Sequence, residues 1–308
     1  IPLRLVGSEM CIRDRGITND IKNITPPLRL FFYPYAQSSV DFKNGDRPTN
    51  NYSAGMDLKY GISNSFTLDA TLIPDFGQVT FDDKELNLTP FEQQFDENRA
   101  FFTEGASLFN KADGQSFRAG NFFYSRRIGD EISFDEDDYL QNDEEILNYD
   151  GKPDLLNSIK ITGTTDSGLS IGIINSITNN AYARIKNINT NEIRSQKIAP
   201  LTNFNILSLT QQIANEHSSI SFLNTSVLRA TKDFENANNS AFVMDLFDNK
   251  KKFNLKSIVY RSDSPTFSST KGFRGSINIE ELTGNYRYAL SWNCLLYTSP
   301  SPRDVEES

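Results

Sequence analysis

Residue types that commonly carry catalysis or cross-linking are scarce in this 308-residue sequence, which has one histidine, two cysteines and one tryptophan. It also has no run of about 18 apolar residues, the length that a transmembrane helix requires. Acidic side chains outnumber basic ones by 40 to 31, and no basic stripe could neutralise the phosphates of a nucleic acid. The composition therefore excludes transmembrane helices from this sequence and disfavours a nucleic-acid partner.

Asparagine, serine, threonine and aromatic residues are abundant instead, including 23 Phe and 12 Tyr. These residue types suit strands and turns better than helices. The mean hydropathy of −0.48 fits a soluble protein, and it also fits a membrane β-barrel, whose lumen and loops are polar.

Both cysteines lie in terminal stretches that differ in character from the rest of the chain. Leu5–Arg15 (LVGSEMCIRDR) and Cys294–Asp304 (CLLYTSPSPRD) resemble translations of the two strands of a common transposon-type sequencing adapter. We therefore expect residues 1–15 and 294–308 to be non-native additions that lie outside the strands. Residues 16–293 would then form one cysteine-free domain without a disulfide framework, and the natural start and end of the protein would lie outside the sequence.

The clearest strand pattern runs from Tyr52 to Ile62, where apolar and polar residues alternate over about ten positions, the length of a tilted strand that crosses a bilayer. The alternation continues in residues 66–72 and recurs in residues 286–292. Such strands have one apolar and one polar face, which suits a barrel wall between lipid and a wet lumen and equally suits a two-layer soluble sandwich. In the barrel, the predicted membrane-facing residues are Tyr52, Met56, Leu58, Tyr60, Tyr286, Tyr288, Leu290 and Trp292.

Further strands fill most of the remaining sequence. A strand at Leu28–Tyr33 is expected to break near Pro34, and a long polar connection is expected over residues 179–200. Turn signals such as Asp166-Ser167-Gly168 separate the strands. The strands predicted beyond residue 156 lie around 159–161 and 169–173, and over 202–213, 218–229, 240–248, 252–261, 273–282 and 284–292.

Residues 73–120 interrupt this pattern with bulky aromatic and charged residues in no clean period. Thr89-Pro90-Phe91-Glu92 is a capping box with proline at the first helical position, which predicts a short helix over residues 90–95. Residues 122–129 are expected to return to a strand, and the acidic run 130–154 is expected to form a solvated loop at the rim. We predict that residues 73–120 fold toward the barrel lumen.

A charge network would hold this segment against the wall, because ions enclosed by protein are tolerated only when they are paired. An ordinary surface excursion with a helical turn is the alternative. The residues predicted to form the network are Asp69, Asp75, Glu92, Glu97, Arg99, Glu104, Arg126 and Arg127.

No set of residues in the sequence marks a catalytic or metal centre. His217 lies between Glu216 and Ser218 without a recognisable nucleophile, whereas a catalytic triad needs an oriented base beside one. A glycosidase needs two carboxylates roughly 5–10 Å apart, a distance that sequence does not supply. The acidic run 130–154 could offer oxygen ligands to a divalent cation, but its spacing does not match an EF-hand. We therefore expect no catalytic residue, no metal site and no cofactor.

Several long motifs carry a family resemblance. They are LDATLIPDFGQV, LNLTPFEQQFDENRAFFTEGASLF, FFYSRRIG, ITGTTDSGLSIGIINSITNNAYA and PLTNFNILSLTQQIANEHSSISFLNTSVLR. Together they resemble the signature of an uncharacterised family of large outer-membrane β-barrel proteins of Gram-negative bacteria. The likeness covers most of Leu28–Arg229 and, more loosely, the sequence to Trp292. In that family the barrel follows a periplasmic module that resembles family-9 carbohydrate-binding domains, and this sequence does not contain that module.

The resemblance implies an all-β fold, an antiparallel outer-membrane-type β-barrel. Only the N-terminal part is expected here, as an open, curved sheet with a short helix-containing segment folded toward the lumen. The resemblance further implies transport or surface attachment at the outer membrane of a Gram-negative bacterium. Membrane lipid would be the partner, and glycans would be a further partner through the missing module. The resemblance supplies no catalytic residues. A soluble carbohydrate-binding β-sandwich and a glycoside hydrolase fragment are the alternatives.

Overall fold

The computed structural model describes residues 28–41, 49–74, 95–110, 122–132, 139–141, 143–231, 234–264, 270–284 and 287–297. Helical structure in them is limited to one turn of α-helix, α1 (Ala100–Thr103), and two 3-10 turns, Ala106–Leu108 and Ser125–Arg127. The strands are β1 (Leu30–Asp41), β2 (Thr49–Gly61), β3 (Phe66–Leu72), β4 (Glu144–Tyr149), β5 (Leu155–Thr164), β6 (Leu169–Thr178), β7 (Ala181–Asn187), β8 (Ile193–Ala199), β9 (Thr202–Gln212), β10 (Ser219–Arg229), β11 (Ala237–Phe247), β12 (Phe253–Ser264), β13 (Thr270–Glu281) and β14 (Ala289–Tyr297).

Eleven of these strands form one large antiparallel sheet in the order β1-β2-β3-β5-β6-β9-β10-β11-β12-β13-β14. The other three form a small sheet in the order β4-β7-β8. Strands β1 and β14 are the two edges of the large sheet and are not paired with each other, so the sheet described here is open. The predicted all-β, antiparallel architecture with an open sheet is confirmed.

Alternation along each strand places different side chains on the two faces of the large sheet. Lys160 on β5 lies opposite Asp69 on β3 and Ile174 on β6, whereas its neighbour Ile159 lies opposite Asn175. Lys160 and Ile174 are buried, while Ile159 is 42% exposed. We call the face that carries Lys160 the covered face and the face that carries Ile159 the bare face.

Part of the covered face is buried by an overlying segment, defined as residues 95–110 and 122–132. This segment contains α1 and both 3-10 turns, so a short helix-containing segment does fold onto the polar face of the sheet. Its hydrophobic contact with the sheet consists of Phe102, Phe109 and Ile128 of the segment and Leu155, Ile174 and Ile206 of the strands. Two smaller clusters lie elsewhere: Leu223, Ala241, Val243 and Ile258 on β10–β12, and Ala181, Ala183, Ile185 and Ile198 in the small sheet.

The connections of the large sheet differ between its two ends. At one end, here the short-turn end, five connections of four to seven residues join successive strands, beginning with residues 62–65 and 165–168. The opposite end, the long-connection end, carries both large excursions, residues 73–154 and 179–201. The overlying segment and the small sheet therefore both arise from the same end of the sheet.

Pro34 does not break the first strand as expected, because β1 continues through it to Asp41. Pro34 lies opposite Met56, and β1 is an edge strand with only one neighbour among the described strands. A residue without an N–H is tolerated in an edge strand, since its nitrogen can face the free side.

Residues 179–200, expected to be a polar connection, instead contain β7 and β8, and the acidic run 130–154 contains β4. The β7–β8 pair continues the β6–β9 hairpin beyond the large sheet. Sequence reasoning missed these strands because their apolar residues are small or widely spaced, and only pairing with one another buries them.

Residues 122–129 form bends and a 3-10 turn rather than the expected strand. The backbone carbonyls of Ser125 and Ile128 accept hydrogen bonds from Arg99 instead of from a neighbouring strand. The final strand, expected at residues 284–292, is Ala289–Tyr297, so the first residues of the adapter-like stretch pair with β13 and the expectation that they lie outside the strands is wrong. The helix predicted at residues 90–95 lies outside the described residues.

Candidate functional site

Lys160 fastens the overlying segment to the covered face, and its side chain is 1% exposed. Its ammonium group donates to the carbonyl oxygens of Phe101 and Glu104 at 2.6 and 2.8 Å, and it lies 3.4 Å from Asp69 Oδ2. The same nitrogen lies 4.8 Å from the centre of the Phe101 ring. A wall lysine thus satisfies carbonyl groups that a one-turn helix leaves without intrahelical partners.

Lys59 on β2 adds a second cation to this cluster. Its Nζ contacts the carboxylate of Glu104 and lies 3.8 Å from Asp69 Oδ1. The hydrogen bond from Lys59 holds the pKa of Glu104 below its usual range, against the opposing effect of partial burial. Two lysines and two carboxylates therefore balance one another, which is the condition for keeping charge beneath protein.

A second charged group, Glu97 and Arg99, braces the segment internally. The Arg99 guanidinium donates to both oxygens of the Glu97 carboxylate, at 2.8 Å from Nε and 2.7 Å from Nη2. Ser125 Oγ donates to the same carboxylate at 2.6 Å. Burial alone would raise the pKa of Glu97, but the hydrogen bonds from Arg99 and Ser125 hold it below its usual range. Since Arg99 also binds the carbonyls of Ser125 and Ile128, this pair joins the two halves of the segment.

The remaining residues of the predicted charge network have different placements. Arg126 Nε donates to the carbonyl of Asp96 at 2.8 Å, and Arg127 is exposed. Asp75 and Glu92 lie outside the described residues. The structure therefore brings Asp69 and Glu104 together in one group and places Glu97 with Arg99 in another; that these groups hold the segment in place stays a prediction.

Lys59 and Lys160 were missed by sequence reasoning. Their alternation with Leu58 and Ile159 assigns both to the polar face of their strands. Their contact with Asp69 depends on the pairing of β2, β3 and β5, which alternation does not reveal.

Close packing at Gly172 reinforces the attachment. A Cβ atom added at Gly172 would lie 2.8 Å from the ring of Phe109, so only a residue without a side chain leaves room for this ring. Nearby, Ser208 Oγ donates to the carbonyl of Leu108 at 2.5 Å. The segment thus contacts β6 and β9 in addition to forming the ion pairs with β2, β3 and β5.

The cavities that adjoin the covered face include two with polar lining residues. One, of about 340 Å³, lies within the overlying segment between Phe102, Phe109, Phe123 and Tyr124. The other, of about 260 Å³, lies over β12–β14 and is lined by polar groups that include Lys256, Asn278, Glu280 and Ser291. In the described part of the chain, no group of three or more His, Cys, Asp or Glu residues could hold a metal ion.

His217 lies in the turn between β9 and β10, 3.3 Å from Glu216. This turn is at the short-turn end of the sheet, away from the overlying segment. Neither cavity includes His217 in its lining.

Charge is distributed unequally between the two faces of the large sheet. The charged strand residues on the covered face include Asp57, Lys59, Asp69, Lys160, Arg229, Asp245, Lys256, Arg274 and Glu280. The bare face of the described strands carries four charges, all toward the ends of β12 and β13: Arg261, Asp263, Lys271 and Glu281. Over the rest of its area, the bare face consists of uncharged side chains, many of them large, apolar and exposed.

Most of the predicted membrane-facing residues lie on this bare face. On β2 they are Tyr52, Met56, Leu58 and Tyr60, opposite Ser38, Pro34, Phe32 and Leu30 of β1. On β14 they are Leu290 and Trp292, opposite Ile279 and Ile277 of β13. Tyr288 precedes β14 and is exposed, and Tyr286 lies outside the described residues.

The apolar part of the bare face crosses the sheet diagonally. One continuous row of paired residues is apolar from β1 to β5 and polar from β6 to β13: Phe32, Leu58, Ala70, Ile159, Asn175, Asn205, Ser226, Asn238, Asp263 and Lys271. Four residues toward the short-turn end, the paired residues of β6 to β12 are apolar: Ile171, Leu209, Phe222, Phe242 and Val259. When strands are tilted, a belt at one height above the base of the sheet meets each successive strand at a different register position. Such a belt therefore runs diagonally across the rows of paired residues.

Among the described residues, no helix has the length and apolar character needed to cross a membrane. Solved structures with a similar chain course include OmpT, an outer membrane protein of Vibrio cholerae. Its trimer form shares 12% identity with this chain over 88% of this chain and 90% of that one, with a TM-score of 0.32. An OmpT variant lacking loop L8 shares 13% identity over 88% of this chain and 95% of that one, also with a TM-score of 0.32.

None of the curated proteins compared with the chain matches it. One family model does match, over residues 26–296, a range that includes both edge strands of the large sheet and the overlying segment. The chain belongs to the family described as a domain of unknown function, DUF5916.

Proposed function

We propose that this chain forms wall strands of an outer-membrane β-barrel in a Gram-negative bacterium. The bare face meets lipid, the covered face lines a polar interior, and the overlying segment lies inside. The barrel serves the passage or surface attachment of polar molecules in connection with glycan handling. The chain itself carries no catalysis.

The segregation of charge carries this proposal. A soluble sandwich buries the apolar faces of its sheets against each other and directs its charged residues to solvent. Here the overlying segment covers the charged face over β2 to β9, and the face with few charges is bare. A charge facing lipid costs about 2–4 kcal/mol at the bilayer midplane and about 0–1 kcal/mol near its surfaces, which accounts for four bare-face charges placed near strand ends.

Two further features support the same arrangement. The diagonal apolar band is expected of strands that are tilted in a barrel wall. Outer-membrane barrels also have short turns on the periplasmic side and longer loops on the outer side, so the long-connection end would face outward. Because an open edge is not tolerated in a bilayer, β1 and β14 would pair with each other or with additional strands.

The overlying segment would narrow the interior of the barrel, and the space beside the segment would remain polar. The cavity over β12–β14 offers a lysine, a glutamate, an amide and a hydroxyl group, at Lys256, Glu280, Asn278 and Ser291. Such groups suit small polar solutes such as sugars, which both donate and accept hydrogen bonds. This supports passage of polar molecules past the segment.

The test uses Trp292, the single tryptophan of the sequence, which is 59% exposed on the bare face. In vesicles with brominated acyl chains, its fluorescence should be blue-shifted and strongly quenched. The matched control is W292F/N293W, which moves the indole to the covered side of the same strand. Its emission should stay red-shifted and should respond to an aqueous quencher instead.

In cells, the protein should enter the outer-membrane fraction and migrate differently on gels before and after heating. If Trp292 responds only to the aqueous quencher, or if the protein remains in the aqueous fraction, the proposal is wrong. A soluble sandwich with an additional layer over the bare face would then be the better interpretation.

A further inference from the structure

A belt of amide and hydroxyl side chains crosses the bare face on the long-connection side of the apolar band. We call it the amide row and define it by Asn175, Asn205, Ser226 and Asn238 on β6, β9, β10 and β11. These four residues lie directly opposite one another in strand register. They are polar groups on the bare face, which is apolar in the neighbouring band toward the short-turn end and faces away from the overlying segment.

Hydrogen bonds connect members of the amide row to neighbouring polar side chains of the same face. Asn175 Nδ2 donates to Asn203 Oδ1 and to Asn205 Oδ1, both at 2.7 Å. Asn224 Nδ2 donates to Asn238 Oδ1 at 2.6 Å and to Ser240 Oγ at 2.9 Å. Each primary amide has two donor hydrogens and two acceptor lone pairs, so these bonds leave part of the hydrogen-bonding capacity of the row unused.

Hydrocarbon supplies no partners for that capacity, and burying polar groups without partners is unfavourable. Phosphate, carbonyl and sugar oxygens of lipid headgroups do supply them. From this, and on the basis of the proposed function, we infer that the amide row lies in the headgroup layer of the outer leaflet and binds its oxygen atoms. The apolar row marked by Phe222 and Phe242 then lies within the acyl chains.

The position of the amide row also sets how far the protein projects from the membrane. On β6 the chain continues past Asn175 to Thr178 and into β7, and β8 returns to β9 at Thr202. The small sheet therefore lies entirely beyond the headgroup layer, outside the membrane. Its residues Arg184 and Lys197, on the side opposite the cluster of Ala183 and Ile185, would face the aqueous surroundings.

The inference predicts a depth difference that can be measured on one strand. Phe222 and Ser226 share the bare face of β10 and are four residues apart, about 13 Å along the strand and about 9 Å in depth at a tilt of about 45°. In the C11S/C294S background, F222C and S226C would each carry a nitroxide label. The control T225C places the label beside Ser226 but on the covered side.

Collision rates with oxygen and with a water-soluble nickel chelate would be measured in vesicles of phosphatidylcholine and phosphatidylglycerol. We expect oxygen to dominate at position 222 and the nickel complex to dominate at position 226, with a depth difference of about 9 Å. In a background that also carries N175L and N205L, the label at position 226 should shift toward the oxygen-rich layer. The label at position 225 should report the polar interior, and its collision rates should be the same in both backgrounds.

If the label at position 226 is as deep in hydrocarbon as the label at position 222, the amide row lies inside the membrane. That result overturns this inference and leaves the proposed barrel intact. If both labels are reached equally by the nickel complex, the bare face does not contact lipid, and the proposed function fails together with the inference.

Discussion

Replacing Lys160 by methionine should release the overlying segment from the wall. Methionine keeps most of the apolar stem of the side chain, whereas the ammonium group that binds the carbonyls of Phe101 and Glu104 is lost. Asp69 also loses its nearer cationic partner, at 3.4 Å. Removing one member of a buried ion pair costs about 3–5 kcal/mol, so the opened state of the segment should become about 10²–10⁴ times more populated.

Amide hydrogen exchange measures this opening directly. In K160M, a peptide that covers residues 100–110 should exchange about 10²–10⁴ times faster than in the parent protein, because its protection depends on docking of the segment. K256M removes a lysine from the same face of β12, away from the segment, and should leave this exchange unchanged. D69N/K160M should recover part of the protection, since it also removes the Asp69 charge, which in K160M keeps only the more distant Lys59 as a partner.

An exchange rate in K160M within a factor of about three of the parent rate would refute the reasoning. It would mean that the hydrophobic contacts at Phe109 and Ile174 hold the segment without help from the lysine. Equal acceleration in K160M and K256M would point to general loosening of the sheet instead of local release.

Three further predictions concern the segment and the bare face. The pKa of Glu97 is lower in the folded protein than in the unfolded chain. Its pairing with Arg99 therefore stabilises the protein at pH values above the unfolded pKa of about 4.3, and this stabilisation is lost as the pH falls through the folded pKa. Melting curves should therefore show a loss of stability below about pH 4 that E97Q, less stable at neutral pH, no longer shows. G172V should expel the phenylalanine ring of the segment and so raise the rate of hydrogen exchange in residues 100–110. G172A should raise this rate by a smaller factor. In lipid, F222K should destabilise the folded barrel by about 2–4 kcal/mol and N238K by about 0–1 kcal/mol, measured by denaturant titration; equal costs would contradict a lipid-facing band.

The sequence determines most strands of the large sheet. The alternation at Tyr52–Ile62 assigns Leu58 to one face and Lys59 to the other without knowledge of any neighbour, because successive side chains in a strand point in opposite directions. The positions of β9 to β13 follow from turn signals on either side of apolar runs. The final strand was misplaced by about five residues because the alternation of its aromatic residues begins before the pairing with β13 does.

Residues whose environment comes from distant parts of the chain were harder to predict. The small apolar residues of β7 and β8 and the 3-10 turn at Ser125 have no strong local pattern. Arg99 illustrates the reason, since its guanidinium binds carbonyls 26 and 29 residues away in sequence. Local propensity contains no information about such contacts.

The sequence alone thus determined that the strands have one charged and one uncharged face, and that residues 73–120 are unlike a strand. Only the tertiary structure decided which face is covered. It also placed Lys160 beneath the segment and showed that the apolar band runs diagonally across the register rows. The physical reason is that alternation sets the direction of a side chain, whereas pairing between strands sets what that side chain meets.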